Sequence, residues 1–384
     1  MKIALVHKRL DLKGGTERDL YQTAEGLRDL GHDVHLFCSE YGVSAPPGTA
    51  AHVIPALPLG RSLRLWSSAL LAPSTIESHR CDVVVGFGRL LSQDVLRSGG
   101  GTHRGFLRRM GQQRGAARTL WQSLSPYHQT LLQIEKRQFS DRRLQRIIAV
   151  SDEVRRDIEA NYRIASDKIT VLYNGVDQQR FHPSRRAAMR ESLRARWKVP
   201  RAARLVLFVG SGFARKGLDR LLAIWHRSRL SADYLLVAGE DARMGYYRNW
   251  AQSVAGDRIV FAGRQDDIEN YYASADLIVL PALQEAFGNV VLESLASGVP
   301  VVVSREVGAG AILTGCLRHG IIDDAGNPDQ LEAGILNMLE RGAQPGLREA
   351  ARRLGEQYSW DSHFHRLDAL LNEVVHRPGA RRVS

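Results

Sequence analysis

Short runs of consecutive apolar residues recur along the chain, each followed by a polar, glycine-marked loop and then a stretch with apolar residues three or four apart. In the first half the runs are Lys2 to Val6, His32 to Phe37, Cys81 to Gly86 and the IIAV that ends at Val150. In the second they are RLVLFVG from Arg204, DYLLVAGE, RIVFAG, ADLIVLPA and VPVVVS. A run that is apolar on both faces suits a parallel strand covered by helices, whereas a half-solvated strand would alternate. The intervening stretches, among them Glu17 to Gly31 and the helix capped by Ser151 with Asp152 and Glu153 in its first turn, predict those helices. The βα rhythm predicts doubly wound α/β sheets. It is interrupted at residues 100–146 and again at 176–203, where a polar, Arg-rich connection separates two series of strands.

At 384 residues the chain exceeds one ordinary domain, and 44% hydrophobic residues suffice for two cores. The expected division is 1–180, 181–355 and a C-terminal segment 356–384, whose YSWDSHFHRLDALLNEVV reads as a helix and whose RPGARRVS reads as a disordered basic tail. Cys38, Cys81 and Cys316 lie far apart with no CxxC pair, which supports neither a disulfide framework nor a zinc site and fits a reducing compartment. No stretch approaches eighteen consecutive apolar residues, and the opening MKIALVHKR is too short for a signal sequence. The expectation is a cytoplasmic protein that spans no membrane.

Charge changes this picture in one place. Residues 1–200 carry 32 basic and 19 acidic side chains, while residues 201–384 carry 21 and 22, so the whole excess of +12 sits in the first half. Residues 104–146 hold ten Lys or Arg against Glu135 and Asp141 alone, interleaved with Phe106, Leu107, Met110, Leu120 and Trp121. Basic residues among apolar ones suit an anionic membrane surface; the bland alternative is a solvated helix face. Nucleic acid is not expected, because no stacking platform or known module accompanies the charge.

The candidate chemistry lies in the second half. Glu285 precedes Phe287-Gly288-Asn289-Val290, a loop whose backbone N–H groups a ligand can approach, and Glu293 follows eight residues after Glu285 inside the next helix. Backbone donors at a helix start, helped by the helix dipole, favour a diphosphate. Arg215 and Lys216 stand among glycines at a strand's carboxyl end, where two cations can neutralise a departing phosphate. The loop Gly210 to Gly217 is not a dinucleotide fingerprint, since the third glycine position holds Arg215. Gly14 and Gly15 open the first helix in the same way. The chain has no Asp-x-Asp triplet for a metal clamp, and His363 and His365 read as packing residues.

Taken together, VG…KG at 209–217, EAFGNVVLESLASGVPVV with its E-x7-E spacing, GGTERD, YNGVD…RFHP and SADLIVLPALQEAFG resemble the family 4 retaining glycosyltransferases of the GT-B fold across nearly the whole chain. The SGFARKGLDR loop and the opening glycines are most similar to those of lipopolysaccharide core heptose glucosyltransferases. The resemblance implies two Rossmann-like doubly wound domains facing a cleft, with the C-terminal helix crossing back to the first. It implies a nucleotide-sugar donor, UDP-glucose, bound without a metal or other cofactor. The diphosphate would lie among Gly14, Gly15, Arg215, Lys216 and the backbone of Phe287, Gly288, Asn289 and Val290. Glu285 would hold donor-sugar hydroxyls, Glu293 the ribose and Arg264 the base; His103 would hydrogen-bond the donor sugar, and Asp19 would face the donor sugar or acceptor. The acceptor implied is a lipopolysaccharide-core or other lipid-linked glycan at the inner face of the cytoplasmic membrane, the protein being peripherally associated there.

The chain departs from the pattern twice: Ser211 or Gly212 stands where relatives carry an arginine, which gives Arg215 the cationic role, and His103 stands where the core glucosyltransferases carry an acid. Two other readings stay open. One is a nucleotide-sugar epimerase or hydrolase of the same fold. The other is a noncatalytic nucleotide-sugar-binding protein associated with the membrane.

Overall fold

The computed structural model describes all residues but 13, 115–124, 228, 345 and 377–384. The expected basic tail, and Arg118, Leu120 and Trp121 of the basic segment, lie outside the described residues.

The chain forms two compact units, Met1–Tyr173 with Asp361–Ser384, and Asn174–Trp360. Relative to the expected 180/181 and 355/356 divisions, the chain changes unit at 173/174 and 360/361. The cause is local. Val176 donates to the Tyr358 carbonyl at 2.9 Å, and Phe181 is buried with its ring edge-on to Tyr272, so 174–181 belongs to the second core.

Unit 1 contains strands β1 (Lys2–Leu10), β2 (Asp33–Tyr41), β3 (Ala50–Val53), β4 (Val83–Gly86), β5 (Val95–Ser98), β6 (Arg146–Ala149) and β7 (Ile169–Val171). All pair in parallel in the order β3-β2-β1-β4-β5-β6-β7. Its helices are α1 (Gly15–Asp29), α2 (Gly60–Glu77), α3 (His103–Arg114), α4 (Pro126–Ser140) and α5 (Asp152–Asn161). Ser151 caps α5 as expected, accepting from the Val154 N–H.

Unit 2 opens with α6 (Arg185–Arg196) and strand β8 (Leu205–Val209), followed by α7 (Phe213–Lys216), α8 (Leu218–Trp225), β9 (Tyr234–Ala238), α9 (Met244–Ala255) and β10 (Ile259–Gly263). It continues through α10 (Ile268–Ser274), β11 (Leu277–Leu280), α11 (Asn289–Ala296), β12 (Val301–Ser304), β13 (Ile321–Ile322), α12 (Pro328–Gly342) and α13 (Leu347–Gly355). Its parallel sheet runs β10-β9-β8-β11-β12-β13. The final helix, α14 (Trp360–Val375), returns the chain to unit 1.

In unit 1 the two faces of β1 alternate as a strand requires. Ile3 and Leu5 pack with Leu20, Ala24 and Leu27 of α1 and with Leu367, Leu370, Leu371 and Val374 of α14. Ala4 and Val6 point the other way, to Phe37, Ile54 and to Ala72 and Ile76 of α2. The C-terminal helix is therefore part of the first core. His363 on it is buried, with Nδ1 2.7 Å from the Tyr173 carbonyl oxygen, a packing role as the sequence suggested.

Both strand orders run outward from a first strand and then reverse, so each sheet has a switch point where successive connections leave on opposite faces and a crevice opens at the carboxyl ends. In unit 2 that point lies between β8 and β11. One more feature fixes unit 2. Arg186, Arg190 and Arg194 recur every fourth residue of α6 and reach Asp276 at 2.8, 2.9 and 2.7 Å, and Arg348 of α13 approaches it at 3.5 Å. The Leu205 N–H completes the shell of Asp276 at 2.9 Å.

Candidate active site

At the unit 2 switch point, β8 ends in Gly210 and β11 runs into Pro281. Gly210 has φ +142 and lies beneath the Lys216 side chain, where a Cβ would come within 2.6 Å of Nζ. Gly217, at φ +85, lets the short α7 turn against β11; a Cβ there would be 2.0 Å from the Pro281 carbonyl oxygen. The Arg215 carbonyl then accepts from the Leu283 N–H at 2.8 Å, and its guanidinium donates to the Gln284 carbonyl at 3.0 Å. These contacts bring three charged side chains together. Arg215 lies 2.9 Å and Lys216 3.5 Å from one carboxylate oxygen of Glu285. Glu285 is itself held by its backbone, accepting from the Gly308 N–H at 2.9 Å and donating to the Glu306 carbonyl at 3.0 Å.

Three residues beyond Glu285, Gly288 (φ +91) starts α11, which has neither a capping side chain nor an acid in its first turn. The Val291 N–H turns back to the Gly288 carbonyl at 2.9 Å, and the partial positive charge of the helix start, with no side chain capping it, favours an anion. Phe287 and Val290 are buried and anchor the loop, and the Asn289 carboxamide oxygen accepts from Asn174 at 2.8 Å. Glu293 points back to α10, accepting from the Tyr272 hydroxyl at 2.5 Å. Burial, and then the Glu293 charge, push the Tyr272 phenol well above its ordinary range, so it stays a donor. Sequence reasoning missed Tyr272; the available signal was a tyrosine in an apolar helix, whose hydroxyl needs a partner when buried. Arg264 is exposed just past β10, two strands from β8.

The unit 1 candidates fall out differently. Gly14 stands at the N-terminus of α1, but the Glu17 side chain folds back over it, with Oε2 2.1 Å from where a Cβ on Gly14 would lie. A hydrogen bond from His7 and the backbone N–H of Glu17 outweigh burial and hold that carboxyl down at about 2, so it is ionised. The anion favoured at this helix start is thus one of the chain's own, and a diphosphate over Gly14 and Gly15 would meet like charge. Asp19, expected to face a sugar, is instead buried with both oxygens on Arg97 of β5, at 2.5 and 2.9 Å. It locks α1 to the sheet.

His103 begins α3, whose N-terminus is satisfied from a distance. Glu135 on α4 accepts from the His103 and Arg104 N–H groups at 2.6 and 3.2 Å, from the Tyr162 hydroxyl at 2.7 Å and from Arg89 at 2.6 Å. The His103 ring is nearly buried, with Nε2 2.9 Å from Nδ1 of His128. Burial, then the Arg89 charge, lower it to about 4, and burial with Arg97 nearby lowers His363 to about 3. Both are neutral at pH 7. Their ordinary value is near 6.5, so between pH 6.5 and 4 the unfolded chain takes up protons that the folded one does not, and stability rises with pH across that window. Amide exchange of the β1 backbone is expected to accelerate as pH falls from 6.5 to 4, after correction for intrinsic rates; no change in protection would refute the assignment.

Much of the basic segment is neutralised within unit 1. Arg109 pairs with Asp157 at 2.8 Å, Arg143 with Glu77 at 3.3 Å and Arg146 with Glu373 at 3.4 Å, while Arg104 lies over the Tyr162 ring and Leu107 is buried. Phe106 is exposed. Among the described residues no group of three or more His, Cys, Asp or Glu side chains could hold a metal ion. No described helix is long and apolar enough to cross a membrane.

The family model Glycosyltransferase Family 4 matches residues 13–180, and that of Glycosyl transferases group 1 matches residues 203–341. A Burkholderia thailandensis protein described as a probable transglycosylase is 30% identical over 80% of this chain and 78% of its own length. The chain belongs to the family 4 glycosyltransferases. Among other relatives, the lipopolysaccharide glucosyltransferase WaaG of Escherichia coli K12 is 24% identical over 94% of this chain and 95% of its own. A crystal structure of WaaG matches with a TM-score of 0.78, 21% identity and coverage of 98% of this chain and 100% of that one. An Anabaena protein, Alr3699/HepE, solved in complex with UDP-glucose, matches with a TM-score of 0.69, 18% identity and coverage of 97% and 100%. The glycosyltransferase fold here is GT-B, and the protein is an enzyme of the transferase class.

Proposed function

We propose that this glycosyltransferase moves glucose from UDP-glucose to a lipopolysaccharide-core or other lipid-linked glycan, with retention at the anomeric carbon, on the inner face of the cytoplasmic membrane. The observation that carries the reading is the convergence of Arg215, Lys216 and Glu285 beside the uncapped start of α11, at the switch point of the unit 2 sheet. In this reading the donor diphosphate lies against the α11 N–H groups and the two cations, which stabilise charge as the phosphate departs. The acceptor hydroxyl forms the new bond to the anomeric carbon as the bond to phosphate breaks, and the leaving phosphate oxygen takes the acceptor proton. Glu285 accepts from donor-sugar hydroxyls, Glu293 from the ribose, and Arg264 borders the base. In unit 1, His103 offers its remaining ring nitrogen to a sugar hydroxyl. The likeness to WaaG supports the acceptor class, and the basic run 104–146 supports a membrane surface.

Calorimetric titration with UDP, GDP, UDP-glucose and NAD, with and without EDTA, tests this. Micromolar UDP-glucose binding that survives EDTA is expected. Tyr272→Phe leaves Glu293 without its buried donor and should weaken UDP binding roughly tenfold. Binding of NAD alone, or of no nucleotide, would overturn the proposal, and an unaltered Tyr272→Phe would remove Glu293 from it.

A further inference from the structure

Helix α2 is assembled inside out. Its buried positions are Ser67, Ala69, Ala72 and Ile76, mostly small, while its large apolar side chains face away from the core. Leu63, Leu70 and Leu71 on the helix, with Leu57 and Leu59 in the segment that leads into it, are between 40% and 63% exposed. With Val53 they make up six of the eight large hydrophobic residues exposed among the described residues. Leu59, Leu63, Trp66 and Leu70 are spaced four, three and four apart, which sets them in one stripe along the helix. A stripe this concentrated is not scattered surface apolarity and calls for a covering partner.

The surrounding charge identifies the partner. Residues 41–76 contain no Asp or Glu. Arg137 of the neighbouring α4 lies over the Trp66 ring at 5.0 Å, Arg61 of α2 lies over Tyr127 at 4.5 Å, and Arg64 pairs with Glu40. An apolar stripe with a half-buried tryptophan and a guanidinium border matches the layered polarity of a bilayer interface, where tails, carbonyls and anionic headgroups follow one another within a few ångströms. A second copy fits worse, because stripe-to-stripe docking would enclose two guanidinium borders, and residues 41–76 offer no carboxylate to meet them.

We propose that the α2 stripe, from Leu57 to Leu71, is the surface by which this protein inserts shallowly into an anionic lipid bilayer. The inference deepens the proposed lipid-linked acceptor and stands on its own geometry. Arg61, Arg64 and Arg137 at the border of the stripe then contribute attraction to anionic headgroups, and α2 contributes the apolar contact.

The test uses the full chain and vesicles of phosphatidylcholine with 30% phosphatidylglycerol. Leu59→Ser with Leu63→Ser and Leu70→Ser, all at exposed positions, should weaken partitioning at least tenfold with the thermal midpoint and UDP-glucose titration unchanged. Equal partitioning would overturn the inference. A second measurement places a polarity-sensitive dye at Leu63→Cys in a Cys316→Ser background. Cys38 is buried with its thiol pushed up to about 12, and Cys81 is pushed up to about 11, so the new thiol is the one labelled. A blue shift on adding vesicles, quenched by a lipid-borne quencher, is expected; an unchanged spectrum refutes insertion. Sedimentation without lipid covers the alternative: a dimer that the triple substitution dissolves would assign the stripe to a second copy and overturn the lipid reading. Failure of UDP-glucose titration with vesicle binding intact would instead refute only the donor assignment.

Discussion

Lys216→Ala and Glu285→Ala are each expected to lower kcat/KM by about a thousandfold or more, the scale set by removing one preorganised charge from a developing transition state. The two losses should differ in kind. Lys216 folds over Gly210 and shares Glu285 with Arg215, so its removal takes one of two cations from the proposed phosphate position and should depress donor binding and turnover together. Glu285→Ala removes the anion that holds both cations and leaves them free to bind a diphosphate. UDP alone should then bind as well as in the wild type, while transfer is lost. Neither side chain lies in the hydrophobic core, so far-ultraviolet circular dichroism should be unchanged, but the two are mostly shielded and paired with each other, so melting should show a loss of about 1–3 kcal/mol in either variant. Near-normal turnover in either variant, measured by UDP release with a lipid-linked glycan acceptor, would disprove the site.

Asp276→Ala should be the most destabilising single change outside the apolar cores, at about 3–5 kcal/mol, the cost of leaving buried charge uncompensated. Four arginines converge on this carboxylate, and Arg194 among them is almost wholly buried. Burial works against ionisation of Asp276, but hydrogen bonds from Arg190, the Leu205 N–H and Arg186 prevail and hold it at about 2. Its unfolded value is near 3.8, so the contribution is fully present above about pH 4 and is lost as pH falls through 2. Urea unfolding of the unit 2 transition at pH 7 measures the variant. Asp276→Asn keeps the shape and should recover only part of the loss, because a neutral amide cannot balance four guanidinium groups. A change below 1 kcal/mol for Asp276→Ala would mean that the arginines are adequately held by the carbonyls they also reach, Ala273, Ala275, Ser274 and Gly298 among them.

How much of this could be read in advance depended on whether cause and effect were close in sequence. The central strands could be read because burial on both faces leaves an unbroken apolar run, as in VPVVVS. The outer strands could not. β3 is AAHV with alternating exposure, and β13 is two residues long, so neither carries a signal that distinguishes it from a loop. β5 was hidden for another reason: its VLRS includes a fully buried arginine, whose counter-charge Asp19 supplies from 78 residues away. The same separation misdirected the reading of Asp19, which looked available in sequence and is committed in the fold. Arg215, Lys216 and Glu285 could be read because glycine loops and strand ends mark their surroundings locally. The hydroxyl that holds Glu293, and the carboxylate that fills the α1 start, depend on side-chain direction, which spacing does not carry.

The places where the chain changes unit have a consequence for how the protein is built. In unit 1, Tyr173 and His363 are hydrogen-bonded to each other; in unit 2, Val176 bridges Ser359 and bonds Tyr358. Each unit therefore has its two severed ends side by side, which is the geometry of a domain inserted into a host. Residues 174–360 could be excised and the gap in the host closed by a few glycines, yielding two independently expressible proteins from one gene.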